Sequence, residues 1–499
     1  MKQKLLFARA YEKEAGALIP KEARPAFHLT PYTGWMNDPN GFSYYQGQYH
    51  LFYQYNPYDT EWDSMHWGHA TSPDLLHWTY QPAVLAPDAP YDDFGCFSGG
   101  AETLPDGRQM LLYTGVRKEG GERNIEVQTQ CIAVGDGKDY KKLLNNPVLD
   151  ERDLPEGCDR SNFRDPKVWR EADGSYRCVV GTRGEDELGK LLLFRSADGL
   201  HWSFESVLCE NEGRLGKMWE CPDFFELDGK HVVLVSPQDM LPEGLEYHNG
   251  NGTVALIGTF DEQTKRFVPE ADQSIDYGID FYAPTTLLAP DGRRIMIGWM
   301  QNWDTTKLTG AMDRKWFGQM SIPRELSIQN GRLYQRPIRE LEQYRSNRVS
   351  YENVLVSGDL TLEGVTGRTV DLELSIRPAK EAPLYVKFAV RFMQNDKYHS
   401  GLSYRPHESL LRIDRKFSGS RRAYIHQRRC LVPPRDGEIR LRLILDRFSV
   451  EVFVNDGEQV MTTTILTDPQ ATGISFFADG LVEMDVTKYD LFAEDAYEV

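Results

Sequence analysis

The sequence predicts an all-β chain, a five-bladed β-propeller followed by a C-terminal β-sandwich. One layout recurs five times: a short polar motif, an aromatic and apolar run, a turn glycine and a second apolar run. The turn glycines Gly47, Gly107, Gly174, Gly229 and Gly292 are 60, 67, 55 and 63 residues apart, room for four strands per unit. Beyond about residue 350 the layout gives way to period-2 alternation, as in Leu372–Ile376 and Val450–Val454, the pattern of a sandwich.

The elements follow in order. Residues 1–30 form a lead-in, with an amphipathic helix over 2–15 ending at Gly16. The propeller spans 31–335. Four of its five turns are Asp-Gly and one is Gln-Gly, strong hairpin signals between apolar runs. Outer-strand phrases also recur, such as Ala70–Trp78 against Arg195–Trp202. A ring of this kind leaves few open sheet edges, which favours it over stacked sandwiches. Residues 336–349 link the domains through a short helix at Pro337–Arg345 (PIRELEQYR). The sandwich occupies 350–499 and ends on a strand at Val482–Leu491. It offers a surface for homo-oligomer formation.

Composition narrows the function. The 499 residues carry a formal charge of −18, which repels phosphate backbones and argues against nucleic acid. The one dense basic patch, Arg415, Lys416, Arg421, Arg422, Arg428 and Arg429, reads as a solvated face or subunit contact. Seven cysteines without a CxxC read as reduced thiols in a cytoplasmic protein. The N-terminus has only Leu5–Leu6 as an apolar core, so it reads as neither signal peptide nor membrane span. Asn251-Gly252-Thr253 reads as a turn. Gly184–Leu191 resembles a phosphate loop but has Leu191 where Ser or Thr is needed, and it too reads as a turn. There is no HExxH and no zinc-spaced Cys/His cluster, so neither metal nor cofactor is expected.

The chemistry lies in one slot, nine residues before each turn glycine. It holds Asp38, Ser98, Asp165, Glu220 and Ala283. A shared register on inner propeller strands brings three carboxylates to one axial cavity. Like charges that close cannot all ionise cheaply, so at least one is expected to hold a proton near neutrality. That suits a carboxylate nucleophile beside a carboxylic acid. Trp219 and Cys221 flank Glu220 and limit solvent there. Gln54, Trp62, Phe97, Tyr282 and Trp299 are candidates for the pocket wall, with core packing the competing reading for each. At the fifth blade, Tyr282 and Asp280 are candidates to act in place of Ala283.

These residues carry a resemblance. Trp35–Gly41 (WMNDPNG), Phe52–Pro57 (FYQYNP), His66–His69 (HWGH), Phe97–Gly99 (FSG), Arg164–Pro166 (RDP), Glu220–Cys221 (EC) and Ile322–Leu326 (IPREL) resemble glycoside hydrolase family 32, the family of invertases, inulinases and sucrose-6-phosphate hydrolases. The strand Ser449–Asn455 fits the family's sandwich. Gly100 stands where Ser or Cys is expected, a departure that bears on packing. The resemblance implies Asp38 as nucleophile, Glu220 as general acid/base and Asp165 as transition-state stabiliser. It implies a fructose pocket lined by Asn37, Gln54, Trp62, Phe97, Ser98, Arg164 and Trp299.

It further implies a retaining β-fructofuranosidase acting on sucrose, kestose-type fructo-oligosaccharides or sucrose-6-phosphate, with exo-acting inulinase or levanase as a further alternative. An inverting propeller glycosidase, a transfructosylase and a non-catalytic sugar-binding protein are the rival readings. Selection of a phosphorylated sugar calls for Lys or Arg near the second subsite, for which Lys307, Arg314, Lys315 and Arg324 are available. The loop 301–320, with Trp303 and Trp316, is a candidate aromatic wall for the leaving group.

Overall fold

The computed structural model describes residues 3–120, 124–306, 314–419, 425–433, 435–492 and 497–498. Five antiparallel four-stranded units, here blades I to V, succeed one another along the chain. Their inner strands are Gly34–Tyr45, Gly95–Thr103, Arg164–Arg170, Trp219–Leu227 and Tyr282–Leu288. Each blade continues outward in sequence order. The Gly184–Leu191 stretch is the turn between two antiparallel strands of blade III, Tyr176–Arg183 and Gly189–Ser196.

Blade I receives two extra strands. Trp316–Phe317, from the long excursion inside blade V, pairs in parallel with Gly34 and Trp35 on the inner edge. This contact helps close the ring. Tyr497–Glu498 pairs in parallel with Trp78 and Thr79 on the outer edge.

The N-terminal helix spans Gln3–Ala17, rich in strong helix formers. Its buried positions Leu5, Ala8, Glu12 and Gly16 follow a helical period. A Cβ at Gly16 would lie 2.4 Å from the Tyr32 ring, so glycine permits this close approach. The helix also saturates the outer edge of blade I. Glu12 accepts the Ala83 N–H at 2.8 Å, and Arg9 Nε donates to the Ala83 carbonyl at 2.7 Å.

The expected linker helix is a short 3-10 segment, Arg339–Tyr344, because the blade V strand runs on to Pro337. The second domain therefore begins at Arg345, with the strand Arg345–Leu360. Its organising element is Gly473–Leu491, longer than the expected final strand. The first part pairs with Lys387–Gln394 and the second with Val370–Pro378, so one strand serves both layers of the sandwich. The change falls near Gly480, whose φ of +110° favours glycine.

The domains meet over a buried ionic network. Glu451 accepts from the Ile322 N–H at 2.7 Å, from Arg324 Nη2 at 2.6 Å and from His28 Nε2 at 3.0 Å. Arg324 also reaches Asp276 at 3.1 Å and Thr462 Oγ1 at 2.6 Å. His28 Nδ1 meets Asp446 at 2.8 Å. Arg324 is thus enclosed at the domain interface and unavailable to a substrate. Arg415 is enclosed as well, 4% exposed and bonded to Asp280 at 2.6 Å. The expected solvated basic patch is therefore partly an interdomain tie. Arg421 and Arg422 lie outside the described residues.

Burial alone would lower the His28 pKa, but hydrogen bonds from Asp446 and Glu451 outweigh it and raise the pKa to about 9. The folded value then exceeds the ordinary imidazole value of 6.5. This contribution to stability is full below about pH 6.5 and is lost as pH rises through about 9. Urea unfolding at pH 6 and pH 9.5 should show a loss of roughly 2–3 kcal/mol in the wild type that is absent from His28→Gln. Equal pH dependence in both proteins would contradict this account.

Candidate active site

Every inner strand is interrupted where it nears the axis. Each carries a β-bulge, between Met36 and Pro39, Phe97 and Gly99, Arg164 and Lys167, Glu220 and Asp223, and Tyr282 and Thr285. A bulge turns side chains and N–H groups out of the ladder. Asp165, Cys221 and Ala283 take φ of +66°, +47° and +50° within theirs. Their N–H groups donate across to the neighbouring blade, to Thr114 Oγ1, Asp165 Oδ2 and Ser236 Oγ at 3.0, 3.0 and 3.1 Å.

The shared slot is therefore only approximate. Cys221, not Glu220, corresponds to Asp165 and Ala283. Glu220 is still paired, with Ser236, as Arg164 is with Gly181 and Tyr282 with Trp299. The count of nine hides unequal turns, two residues in blades I and IV and five in the others. Relative to its bulge, Glu220 sits one residue nearer the start of its strand than Asp165 does.

The three carboxylates still converge. Asp38 Oδ2 accepts from Ser98 Oγ at 2.8 Å and from the Cys221 thiol at 3.4 Å, while Oδ1 is buried and makes no hydrogen bond. Gln54 donates to Ser98 at 3.2 Å, and Trp35 Nε1 fixes the Asn37 amide at 2.7 Å. The same thiol reaches Asp165 Oδ2 at 3.7 Å. Glu220 Oε1 accepts from Arg164 Nη2 at 2.9 Å, and Oε2 accepts from the Tyr282 hydroxyl at 2.7 Å. Arg164 is itself oriented by Asn162 at 3.0 Å.

Burial sets the electrostatics. It raises the Asp38 pKa, with Glu220 adding to the effect and the donors Ser98, Asn37 and Cys221 opposing it. Burial likewise raises Asp165 to about 7, reinforced by Glu220 and Asp38 against the pull of Arg164. The Tyr282 and Cys221 protons are held far above their usual range, again chiefly by burial, so both groups remain donors.

These groups line a cavity of about 570 Å³ at the starts of the inner strands. Its floor is polar: Asn37, Asp38, Gln54, Ser98 and Asp165. Trp62, Phe97, Asn251 and Trp303 also line it, and Trp62 is 37% exposed. A second cavity of about 520 Å³ lies toward the other end of the same strands, where Lys167 is tied to Asp223 and Thr285 at 3.0 Å each.

Residues 28–337 match the glycosyl hydrolases family 32 N-terminal domain, and residues 340–491 match the family 32 C-terminal domain. The chain belongs to glycoside hydrolase family 32. The family 32 enzyme is 37% identical to a sucrose-6-phosphate hydrolase of Escherichia coli, over 91% of each chain. It is also 37% identical to a raffinose invertase of Escherichia coli, over 96% of this chain and 97% of the relative. Among solved structures, the Bombyx mori GH32 β-fructofuranosidase superposes with a TM-score of 0.83 at 32% identity, covering 99% of both chains. The sucrose-6-phosphate hydrolase from Lactobacillus gasseri gives 0.82 at 26% identity, over 98% and 96%. Fructofuranosidase activity in the general sense follows from membership and these likenesses.

The family 32 enzyme departs from the sequence expectation at several positions. Trp299 is fully buried behind the wall, 5.1 Å from Trp303 and 5.8 Å from Trp35, and Trp303 takes the lining position. Trp316 packs away from the cavity, against Phe448. Asp280 does not enter the site either, because it is buried against Arg415, Thr464 and Thr305. Tyr282 and Cys221 act on the carboxylates from behind the lining. Gly100 packs tightly, since a Cβ there would lie 3.0 Å from the Val168 nitrogen. Glu126, Gln128, Ser161, Asn162, Gln238, Asp239 and Asn251 also line the cavity. The inner-strand repeat gave no signal for them, because they come from other strands and loops.

The raised Asp165 pKa carries a stability consequence. The native state holds more protons than the unfolded chain between about pH 4 and 7, so this group's effect on stability worsens as pH rises through that window. Asp165→Asn should therefore be more stable than wild type at pH 8 by roughly 1–3 kcal/mol, with the gain vanishing near pH 4. Thermal unfolding at the two pH values checks this, and a variant less stable at pH 8 would refute it.

Proposed function

We propose that the chain is a retaining β-fructofuranosidase that hydrolyses terminal fructosyl units of unphosphorylated substrates, sucrose and short fructo-oligosaccharides. The observation that carries this reading is the convergence of Asp38, Asp165 and Glu220, each from a different blade, on one polar cavity. The Asp38 carboxylate attacks C2 of the fructosyl unit. Glu220 gives a proton to the leaving oxygen, then takes one from the water that releases fructose. Asp165 grips fructosyl hydroxyls and favours the positive charge that develops at C2 and the ring oxygen. Ser98 and Cys221 orient the Asp38 carboxylate through Oδ2.

The charge balance supports neutral sugars. Asp38, Glu126, Asp165, Glu220 and Asp239 line the cavity, against Arg164 as the basic residue among the described lining residues. Arg164 is already engaged with Glu220. A phosphate ester brings nearly two further negative charges into this field. Of the cations expected to serve phosphate, Arg324 is enclosed between the domains, Arg314 lies over Trp316 and Phe448, and Lys315 is exposed but is not among the residues that line the cavity. Lys307 lies outside the described residues. The free cysteines, five of them buried, support the inference of a reducing, cytoplasmic setting.

Four measurements test the proposal. The kcat/KM for sucrose should exceed that for sucrose-6-phosphate by about tenfold or more, on the scale of one uncompensated charge. The reverse order would assign the site to phosphorylated sugar. NMR should show β-fructofuranose as the first-formed anomer, since inversion is incompatible with double displacement. Asp38→Asn should lower kcat by on the order of 10³-fold or more while retaining the fold. Glu220→Gln should be less impaired on substrates with good leaving groups.

A further inference from the structure

We infer that Arg415, in the β-sandwich, is a positioning residue for the leaving-group wall of the active site, acting through Asp280 and Thr305. The inference rests on the fructosidase reading for the identity of that wall.

The path is a sequence of buried hydrogen bonds. Arg415 follows the sandwich strand Leu410–Asp414. Its guanidinium is fixed on its own domain by the Ile425 carbonyl at 3.1 Å and the Thr464 carbonyl at 2.7 Å. Nη1 crosses to Asp280 Oδ2 at 2.6 Å. The same oxygen accepts the Thr464 N–H at 2.8 Å. The residues leading up to Asp280 are bound to the sandwich as well, for Tyr277 and Ile279 donate N–H groups to Val460 and Thr462 carbonyls at 2.8 Å each. A Cβ at Gly278 would lie 2.1 Å from the Thr462 backbone, so this approach is rigidly specified.

Asp280 Oδ1 then accepts from Thr305 Oγ1 at 2.8 Å. Asp280 and Thr305 are both fully buried. Thr305 ends a turn in which its own N–H bonds to the Asn302 carbonyl at 2.9 Å. That turn carries Trp303 into the cavity wall. Asp304 of the same turn accepts from the Asn251 N–H and from its side-chain amide, both at 2.9 Å, and Asn302 donates to the Asn251 carbonyl at 2.9 Å. Asn251 is a second wall residue. Neither is one of the carboxylates that would act on the fructosyl unit. The sandwich thus sets the position of two wall residues without touching sugar. Removing a link should weaken substrate binding while leaving the reacting centre intact.

Thr305→Val keeps shape and removes the hydroxyl. It should raise KM for sucrose about three- to tenfold with kcat changed less than about twofold, the signature of lost uniform binding. Inhibition by free fructose should not change. Arg415→Met should act in the same direction. Adding Thr305→Val to Trp303→Ala should raise KM by less than Thr305→Val raises it in the wild type, because Trp303 is one of the two wall residues that the relay positions. Acrylamide quenching of Trp303 fluorescence, taken as the difference from Trp303→Phe, should increase in Thr305→Val. Unchanged KM and quenching in both relay variants would overturn the inference. So would additive losses, or a fall in kcat and fructose affinity in parallel with KM. Failure of the fructosidase reading would show in the wild type itself, as no release of fructose from sucrose or kestose.

Discussion

Three carboxylates share one cavity, and their mutual repulsion is the constraint around which the rest of the chain is arranged. Left alone, such groups would move apart or take up protons. Here each is built into a different blade, and the blades form a ring. Bulges turn the side chains toward the axis, and cross-blade hydrogen bonds from Asp165, Cys221 and Ala283 lock neighbouring bulges together. Arg164 offsets part of the charge, and Tyr282 and Cys221 supply neutral donors. The environment separates the three acids in character. Asp38 keeps one oxygen bare, Asp165 is raised toward neutrality, and Glu220 is held between a cation and a phenol.

Much of this was legible in the chain. Asp-Gly turns at near-regular intervals fixed the strand count, and the local hairpins made the ring readable without long-range information. The change of patterning near 350 falls within the strand Arg345–Leu360. The slot counted back from each turn picks out Asp38, Asp165 and Glu220, which line one cavity. Its register is only approximate, because turn lengths and bulges differ from blade to blade. A bulge is a difference between two strands and leaves no reliable mark on either one alone.

Other differences share a cause. Trp299, Asp280, Arg324 and Arg415 are chemically expressive residues whose surroundings are set by distant segments. Trp299 was placed on the wall, but the excursion that returns Phe317 and Gly318 to blade I covers it. Arg324 looked available to an anion, yet Glu451, more than a hundred residues later, claims it. Gln128, Asn162 and Asn251 reach the cavity from outside the repeat, and only the closed ring brings them together.

The outer edge of blade I is covered from both directions. The helix Gln3–Ala17 saturates Ala83, and Tyr497–Glu498 pairs with Trp78 and Thr79. During synthesis these two covers arrive at opposite times. Blade I leaves the ribosome first, while its parallel partners Trp316–Phe317 and Tyr497–Glu498 have yet to be translated. Its helix is already present. A nascent sheet with a free edge is prone to pair with another nascent chain. The early helix acts as a guard on that edge through the interval. The final strand, arriving last, completes the first blade only when all the others are there to hold it.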